Sequence, residues 1–507
     1  MRRISFFIFI SIITLILKAE VKLPGIIGNN MVLQRNSEVN LWGYATPNKN
    51  VAIKTSWNQM EYKVKSDCDG NWKVKVATNE ASGPQSITFN DGEELVIENI
   101  LLGEVWICGG QSNMEMPVCG FINQPVENCL DYVMNANEYP DIRMFTVPRN
   151  STDTQTYDCK SEWLCSSSAS VASFSATAYF FGLNLHRMLG VPVGLVTSNW
   201  GGSTIETWMN KESIDGIKGI DKKVQAKWTS ENSAPQKLFN GMILPISNFT
   251  AKGFIWYQGC SNRLNWYDYK DLQVALIKLW RKIWGNDSMP FYMTQLAPYR
   301  YEGDNLRSLP LVIEAQYQAA SQLENVGVAA TTDLGHPTCI HPAKKFEVGQ
   351  RLAMLALRND YGIEGLPFSA PTFKSMEKKD NTLILSFNNV SEPNKFNDPN
   401  SFVGFDEDST LRMGGFEVAG KDRVFYDAKA RMKWWQNKII ISSDSVSDPV
   451  AVRYAFKNHC PEANIKTNYG LPLAPFRTDN WVIPEIEIGE IKSKMRKMQI
   501  KESIFQC

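Results

Sequence analysis

The chain has 507 residues, with 53 Lys+Arg against 53 Asp+Glu and a formal net charge of zero. That length suffices for two or three domains with a sizeable core, and the charge balance argues against nucleic acid as an electrostatically held partner. Its 15 Trp, 17 Tyr and 25 Phe suit sugar-stacking surfaces, but most aromatics in a protein this size fill cores, so the count argues no ligand by itself.

Residues 1–19 read as a signal peptide. Met1-Arg2-Arg3 gives a basic start, and Phe6 to Leu17 form an apolar run too short to span a bilayer, with cleavage expected near Ala19. No cysteine follows that run to carry a lipid, and no second long apolar segment follows. A secreted or periplasmic protein with no stable membrane insertion is therefore expected. All ten cysteines lie beyond the signal, and Cys119, Cys129, Cys159 and Cys165 form the local group best placed to pair in an oxidising compartment.

Residues 20–100 alternate with period two, as in Val51-Ala-Ile53, Tyr62-Lys-Val64 and Trp72-Lys-Val-Lys-Val76. Asp69-Gly70 and Asp91-Gly92 stand as hairpin signals between such runs. A β-sandwich-like unit is expected there.

From 101 to 365 the rhythm changes. Strands are expected at 104–108, 193–198, 253–257, 291–296 and 326–332, and helices near 176–189, 268–284, 311–322 and 343–358. The clearest helix is 268–284, where Leu272, Ala275, Leu276, Leu279, Trp280 and Ile283 share one face and Gly285 supplies the stop. The alternation predicts an α/β domain with a parallel sheet covered on both faces, and its working residues gather beyond the strands' C-terminal ends. Residues 118–170 interrupt this rhythm as a cysteine-bearing insertion. Period-two alternation returns in 366–485, a second expected β-sandwich-like unit, and 486–507 read as a basic solvated tail.

Four segments follow central strands and hold the candidate chemistry. In Glu104-Val-Trp-Ile-Cys-Gly-Gly-Gln-Ser-Asn113, an apolar strand ends in glycines and presents Ser112 between the amides of Gln111 and Asn113, as a nucleophile is presented. Read alone, it is a Gly-Ser-Asn turn. Gly201-Gly202 lets a backbone N–H approach a reacting oxygen. Trp256-Tyr-Gln258-Gly-Cys260-Ser-Asn262 supplies side-chain amides, and Asp333-Leu-Gly-His336-Pro-Thr-Cys339-Ile-His341 carries two of the four histidines. His186 lies inside a helical run and reads as structural, which leaves His336 as the rival of His341. His336-x-x-Cys339-x-His341 matches no common zinc spacing, and Cys260 is a minor candidate thiol nucleophile.

In order, these segments resemble the SGNH (GDSL-like) hydrolases, and specifically the sialate O-acetylesterase family. The likeness begins at Asn30-Met-Val-Leu-Gln-Arg35, runs through Gly103 to Pro117, Gly201 to Trp208, Trp256 to Asn262 and Ile340-His341-Pro342, and closes at Pro475-Phe-Arg-Thr-Asp479. The resemblance implies a flavodoxin-like central domain and acetyl-ester hydrolysis without a cofactor or metal. It implies Ser112 as nucleophile and His341 as general base. The oxyanion hole would be made by the N–H of Ser112, a glycine N–H from Gly201 or Gly202, and the Asn262 side chain. Gln111, Gln258, Cys260, Cys339 and His336 are then expected to line the site.

Two departures stand out: Cys260 replaces the acid of a Trp-Tyr-Gln-Gly-Glu pattern, and Cys339 sits where relatives carry Asp two residues before the histidine. Asp333 is the remaining acid able to complete a triad, a backbone carbonyl the alternative, and a Cys260–Cys339 disulfide a further expectation. The implied substrate is an O-acetylated sugar or glycan, sialate first, acetylated plant or microbial polysaccharide second. A catalytically silent glycan-binding protein is the rival of another class.

Overall fold

The computed structural model describes residues 21–483, apart from 223–225, 302, 304–305, 393–394, 396–397, 404–412 and 434–435. The expected signal peptide and the expected tail lie outside the described residues.

At the centre is a mostly parallel sheet. Its strands are β1 (Glu94–Gly110), β2 (Ile142–Thr146), β3 (Trp163–Cys165), β4 (Val193–Asn199), β5 (Gly253–Tyr257), β6 (Phe291–Thr294) and β7 (Val326–Ala329). The spatial order is β7-β6-β5-β1-β4-β2-β3, with every pair parallel except β2–β3. Without the edge pair, β4-β1-β5-β6-β7 run as second, first, third, fourth and fifth strands of a flavodoxin-like order, whose switch point lies at β1. The apolar runs that foretold these strands are buried because helices cover both faces.

The helices that matter here are α1 (Ser112–Glu115), α2 (Ala176–Leu189), α3 (Trp266–Trp284), α4 (Ser308–Ala320) and α5 (Lys345–Asn359). α3 ends at Gly285 in the left-handed conformation, as its sequence predicts.

Three details depart from expectation. The region 118–170 is not wholly an insertion, because β2 and β3 extend the sheet on its β4 side. Asp69-Gly70 does not close a hairpin. Glu61–Lys65 pairs with Asn50–Thr55, whereas Asn71–Ala77 pairs with Glu38–Tyr44, so the turn passes the chain between two sheets. β1 is far longer than its apolar run: its first half pairs with Ser82–Asn90 through a turn at Asp91-Gly92, and every residue from Ile100 to Gly110 is buried. The C-terminal region forms two four-stranded antiparallel sheets whose apolar residues, among them Leu385, Ile439, Val418, Val452 and Tyr454, share one core. No helix among the described residues is long and apolar enough to cross a membrane.

Candidate active site

The end of β1 turns sharply into α1. Gly110 has φ +150°, and a Cβ there would fall 2.3 Å from the carbonyl oxygen of Tyr257, so only glycine lets β5 lie this close. Half-buried Ser112 then opens α1, where the first N–H groups have no acceptor within the helix.

Behind the serine lies a buried network of amides. Gln111 accepts the Gly259 N–H at 2.9 Å. Gln258 donates to the Ser203 carbonyl at 3.0 Å and to Asn262 Oδ1 at 2.8 Å, and accepts the Tyr269 hydroxyl at 2.8 Å. Asn262 Oδ1 also accepts the Ile205 N–H at 2.9 Å, while its Nδ2 donates to Glu206 Oε2 at 2.9 Å. Burial pushes the Glu206 carboxyl above its usual range. Gln111 and Gln258 therefore correct one expectation: they are framework groups rather than lining. A buried amide must find partners, and theirs are loop backbones and other buried side chains.

The glycine loop after β4 packs against the serine. A Cβ on Gly201 would stand 3.4 Å from Ser112 Cβ. The Gly201 N–H, expected as an oxyanion donor, instead donates to Glu115 Oε2 at 2.7 Å, and the same carboxylate holds Arg149. Its neighbour Gly202 is exposed in the left-handed region at φ +72°, and its carbonyl accepts from the Ser261 hydroxyl at 2.9 Å.

His341 arrives on the loop between β7 and α5. The serine and histidine segments are tied directly, because Asn113 Nδ2 donates to the Ile340 carbonyl at 3.1 Å. Asn113 in turn accepts from Lys345 Nζ, and its carbonyl accepts the Thr177 hydroxyl at 3.0 Å. His341 Nδ1 donates to Gln124 Oε1 at 2.7 Å, and the Phe121 ring meets the imidazole edge-on with centroids 5.1 Å apart. Burial first, and the Lys345 ammonium second, push the imidazole down to about 4. Lys345 is itself fully buried, 5.4 Å over the Tyr257 ring, and burial pushes it down to about 7.

The remaining candidates fall into place around this core. Asp333 forms a two-pronged ion pair with Arg351 at 2.7 and 2.8 Å, so its oxygens are committed away from His341, and the expectation that it completes a triad is corrected. His336 Nδ1 accepts the N–H groups of Thr338 and Cys339 at 3.2 and 3.1 Å, which closes its own turn. Cys339 donates its thiol to the His341 carbonyl at 3.1 Å. Cys260 and Cys339 are both free thiols, as are Cys119, Cys129, Cys159 and Cys165, so neither expected pairing is formed. Burial raises the Cys260 thiol above its usual range, the wrong direction for a nucleophile. His186 donates to the Val191 carbonyl at 2.8 Å near the end of α2, a structural role as read from its helix. Among the described residues, no group of three or more His, Cys, Asp or Glu is gathered to hold a metal ion.

Sequence reasoning missed Gln124, Glu115, Glu206 and Lys345. Gln124 lies 217 positions from His341 in a stretch without periodicity, and no local signal marks it. Lys345 offered one faint signal: it opens a helix four residues after the histidine, on a face that must be buried.

A family model described as carbohydrate esterase, sialic acid-specific acetylesterase matches residues 102–358, about half of the chain. The human sialate O-acetylesterase is 28% identical over 390 residues, covering 69% of this chain and 73% of its own. The mouse sialate O-acetylesterase is 28% identical over 420 residues, covering 69% and 75%. Among solved structures, a carbohydrate acetylesterase from Xanthomonas citri superposes with a TM-score of 0.81 at 33% identity, covering 91% of this chain and all of the other. The matched span runs from the buried half of β1 through α5 and so holds Ser112, the Gly201-Gly202 loop, Asn262 and His341; the chain belongs to the sialic acid-specific acetylesterase family of carbohydrate esterases.

Proposed function

We propose that the protein removes O-acetyl groups from carbohydrates, sialate first among them, through an acetyl-serine intermediate. Ser112 Oγ attacks the acetyl carbonyl and His341 Nε2 takes its proton. The imidazolium returns that proton to the departing sugar oxygen, and a water activated the same way releases acetate. The N–H groups of Ser112 and Gly202, with the second Nδ2 proton of Asn262, face the oxyanion. Each such donor contributes about 3 kcal/mol. The observation that carries this reading is the Asn113–Ile340 hydrogen bond, which ties the nucleophile's segment to the base's within a chain of this esterase family. An imidazole held near 4 is neutral at physiological pH, so its lone pair is free.

Export by residues 1–19 belongs to the same reading, supported by the basic start and the short apolar run. So do a division into units of 20–100, 101–365 and 366–485, and a β-sandwich-like build for the two flanking units.

Hydrolysis of a chromogenic acetate ester and of O-acetylated sialate by wild type, Ser112→Ala and His341→Ala tests it. Both variants should lose roughly 10⁴-fold or more in kcat, as removal of a nucleophile or its base does. A Ser112→Ala enzyme turning over at the wild-type rate sinks the mechanism. Acetylated xylan, run beside the sialate, reports the preferred sugar.

A further inference from the structure

Among the described residues, the partner of His341 Nδ1 is a carboxamide rather than a carboxylate. Asp333 is spent on Arg351, and Cys339 presents a thiol that donates to the His341 carbonyl at 3.1 Å and reaches Gln124 Oε1 at 3.5 Å. What stands at Nδ1 is a neutral carboxamide from a distant segment. We propose that Gln124 is the positioning residue of the site, fixing the His341 tautomer and ring orientation where an esterase would otherwise use an acid. This rests on the serine-esterase reading above.

The segment that carries Gln124 is built to hold it. Phe121 and Gln124 form a two-way backbone pair, N–H to carbonyl at 3.1 and 2.9 Å, so both side chains project from one narrow turn. Gly120 precedes it at φ +82°, and a Cβ there would meet the Gln124 carbonyl oxygen at 2.3 Å, so the turn admits only glycine. The turn is moored at both ends. Val118 and Cys119 donate to the carbonyls of Phe174 and Ala172 at 2.9 and 3.0 Å, and Glu127 donates to the carbonyl of Ala343, two residues past the histidine, at 3.0 Å. Phe121 closes one edge of the imidazole while Gln124 Oε1 accepts from Nδ1. A proton fixed on Nδ1 leaves the Nε2 lone pair as the base, the orientation that a carboxylate enforces in a Ser-His-Asp site.

A carboxamide does half of that work. It orients the ring but adds no negative charge to stabilise the imidazolium formed during attack. Among the described residues, the charged group acting on the histidine is Lys345, a cation when protonated, and the neighbouring Cys339 is a thiol. Burial first and Lys345 second depress the imidazole, and a carboxamide does not offset them.

The test is a pH profile of kcat/KM for wild type, Gln124→Ala, Gln124→Glu and Ser112→Ala, with circular dichroism to confirm folding. Gln124→Ala should lose about 10- to 10³-fold in kcat with KM within about twofold, since a wrongly held base fails in the transition state. Gln124→Glu should keep neutral-pH turnover and carry the acid limb upward by one pH unit or more, because a carboxylate facing Nδ1–H favours the charged ring. A purely structural glutamine would not move that limb. Wild-type kinetics in Gln124→Ala with an unmoved limb in Gln124→Glu, beside an inactive Ser112→Ala, overturn the role of Gln124 alone. An active Ser112→Ala overturns the underlying esterase reading and this inference together.

Discussion

The two halves of the candidate site are built by different means. The serine half stands on the ends of β1, β4 and β5, where Gln111, Gln258, Asn262 and Glu206 knit the strand ends into a buried lattice. The histidine half stands on a loop and is held from the side, by the turn that carries Phe121 and Gln124 and by the buried Lys345 acting through Asn113. Rigid strand ends fix Ser112 through regular structure. His341 is fixed through single contacts between segments far apart in the chain, which makes it the half that substitution can retune.

Breaking the serine half should cost the most. Asn262→Ala leaves the Ile205 N–H, the Gln258 amide and the Glu206 carboxyl without their buried partner. A loss of about 3 kcal/mol in denaturant unfolding is expected. A fall of about 10²-fold in kcat should accompany it if the second Nδ2 proton serves the oxyanion. An unchanged midpoint would show that the lattice is not what holds this half together.

On the histidine side, Lys345→Met sharpens the contrast through pH. The folded lysine titrates near 7 against an ordinary value of 10.5, so across that window the unfolded chain binds a proton that the folded one does not. Wild-type stability should therefore rise with pH from about 7 towards 10, at roughly 1.4 kcal/mol per pH unit where steepest, and level off below 7. The variant should lose this slope. It should also shift the acid limb of kcat/KM upward, because one of the two causes depressing the imidazole is gone. Identical slopes in urea titrations at several pH values would contradict the assignment.

The smallest expected effect belongs to Asp333→Asn. Its ion pair with Arg351 is structural, so stability should fall by roughly 1–2 kcal/mol while turnover stays within a few-fold of wild type. A loss of 10³-fold would restore Asp333 to the chemistry.

The same contrast explains what the sequence disclosed. Val105 to Cys108 and Gly253 to Tyr257 are unbroken apolar runs, and α3 repeats at helical spacing, so the sheet, its covering helices and the serine at the strand's end could be read locally. Cys260 and Cys339 stand out as substitutions, yet both are free thiols, because a shared neighbour, Lys345, does not fix the Cβ geometry that a bridge requires. Gln124 and Glu115 were illegible for another reason: their partners, His341 and Gly201, are set by tertiary packing, and glutamine or glutamate in an aperiodic stretch carries no mark of it. The break in rhythm after residue 118 was visible, but its purpose was not.

β1 runs without interruption from the antiparallel ladder with Ser82–Asn90 to the glycines before Ser112. The amino-terminal ladder thus acts as a ruler for the position of Ser112. A slip of one rung against Ser82–Asn90 would advance the strand by about 3.4 Å and turn every side chain to the opposite face. Deleting or inserting a single residue near Asn90 should therefore silence an enzyme whose catalytic loops are untouched.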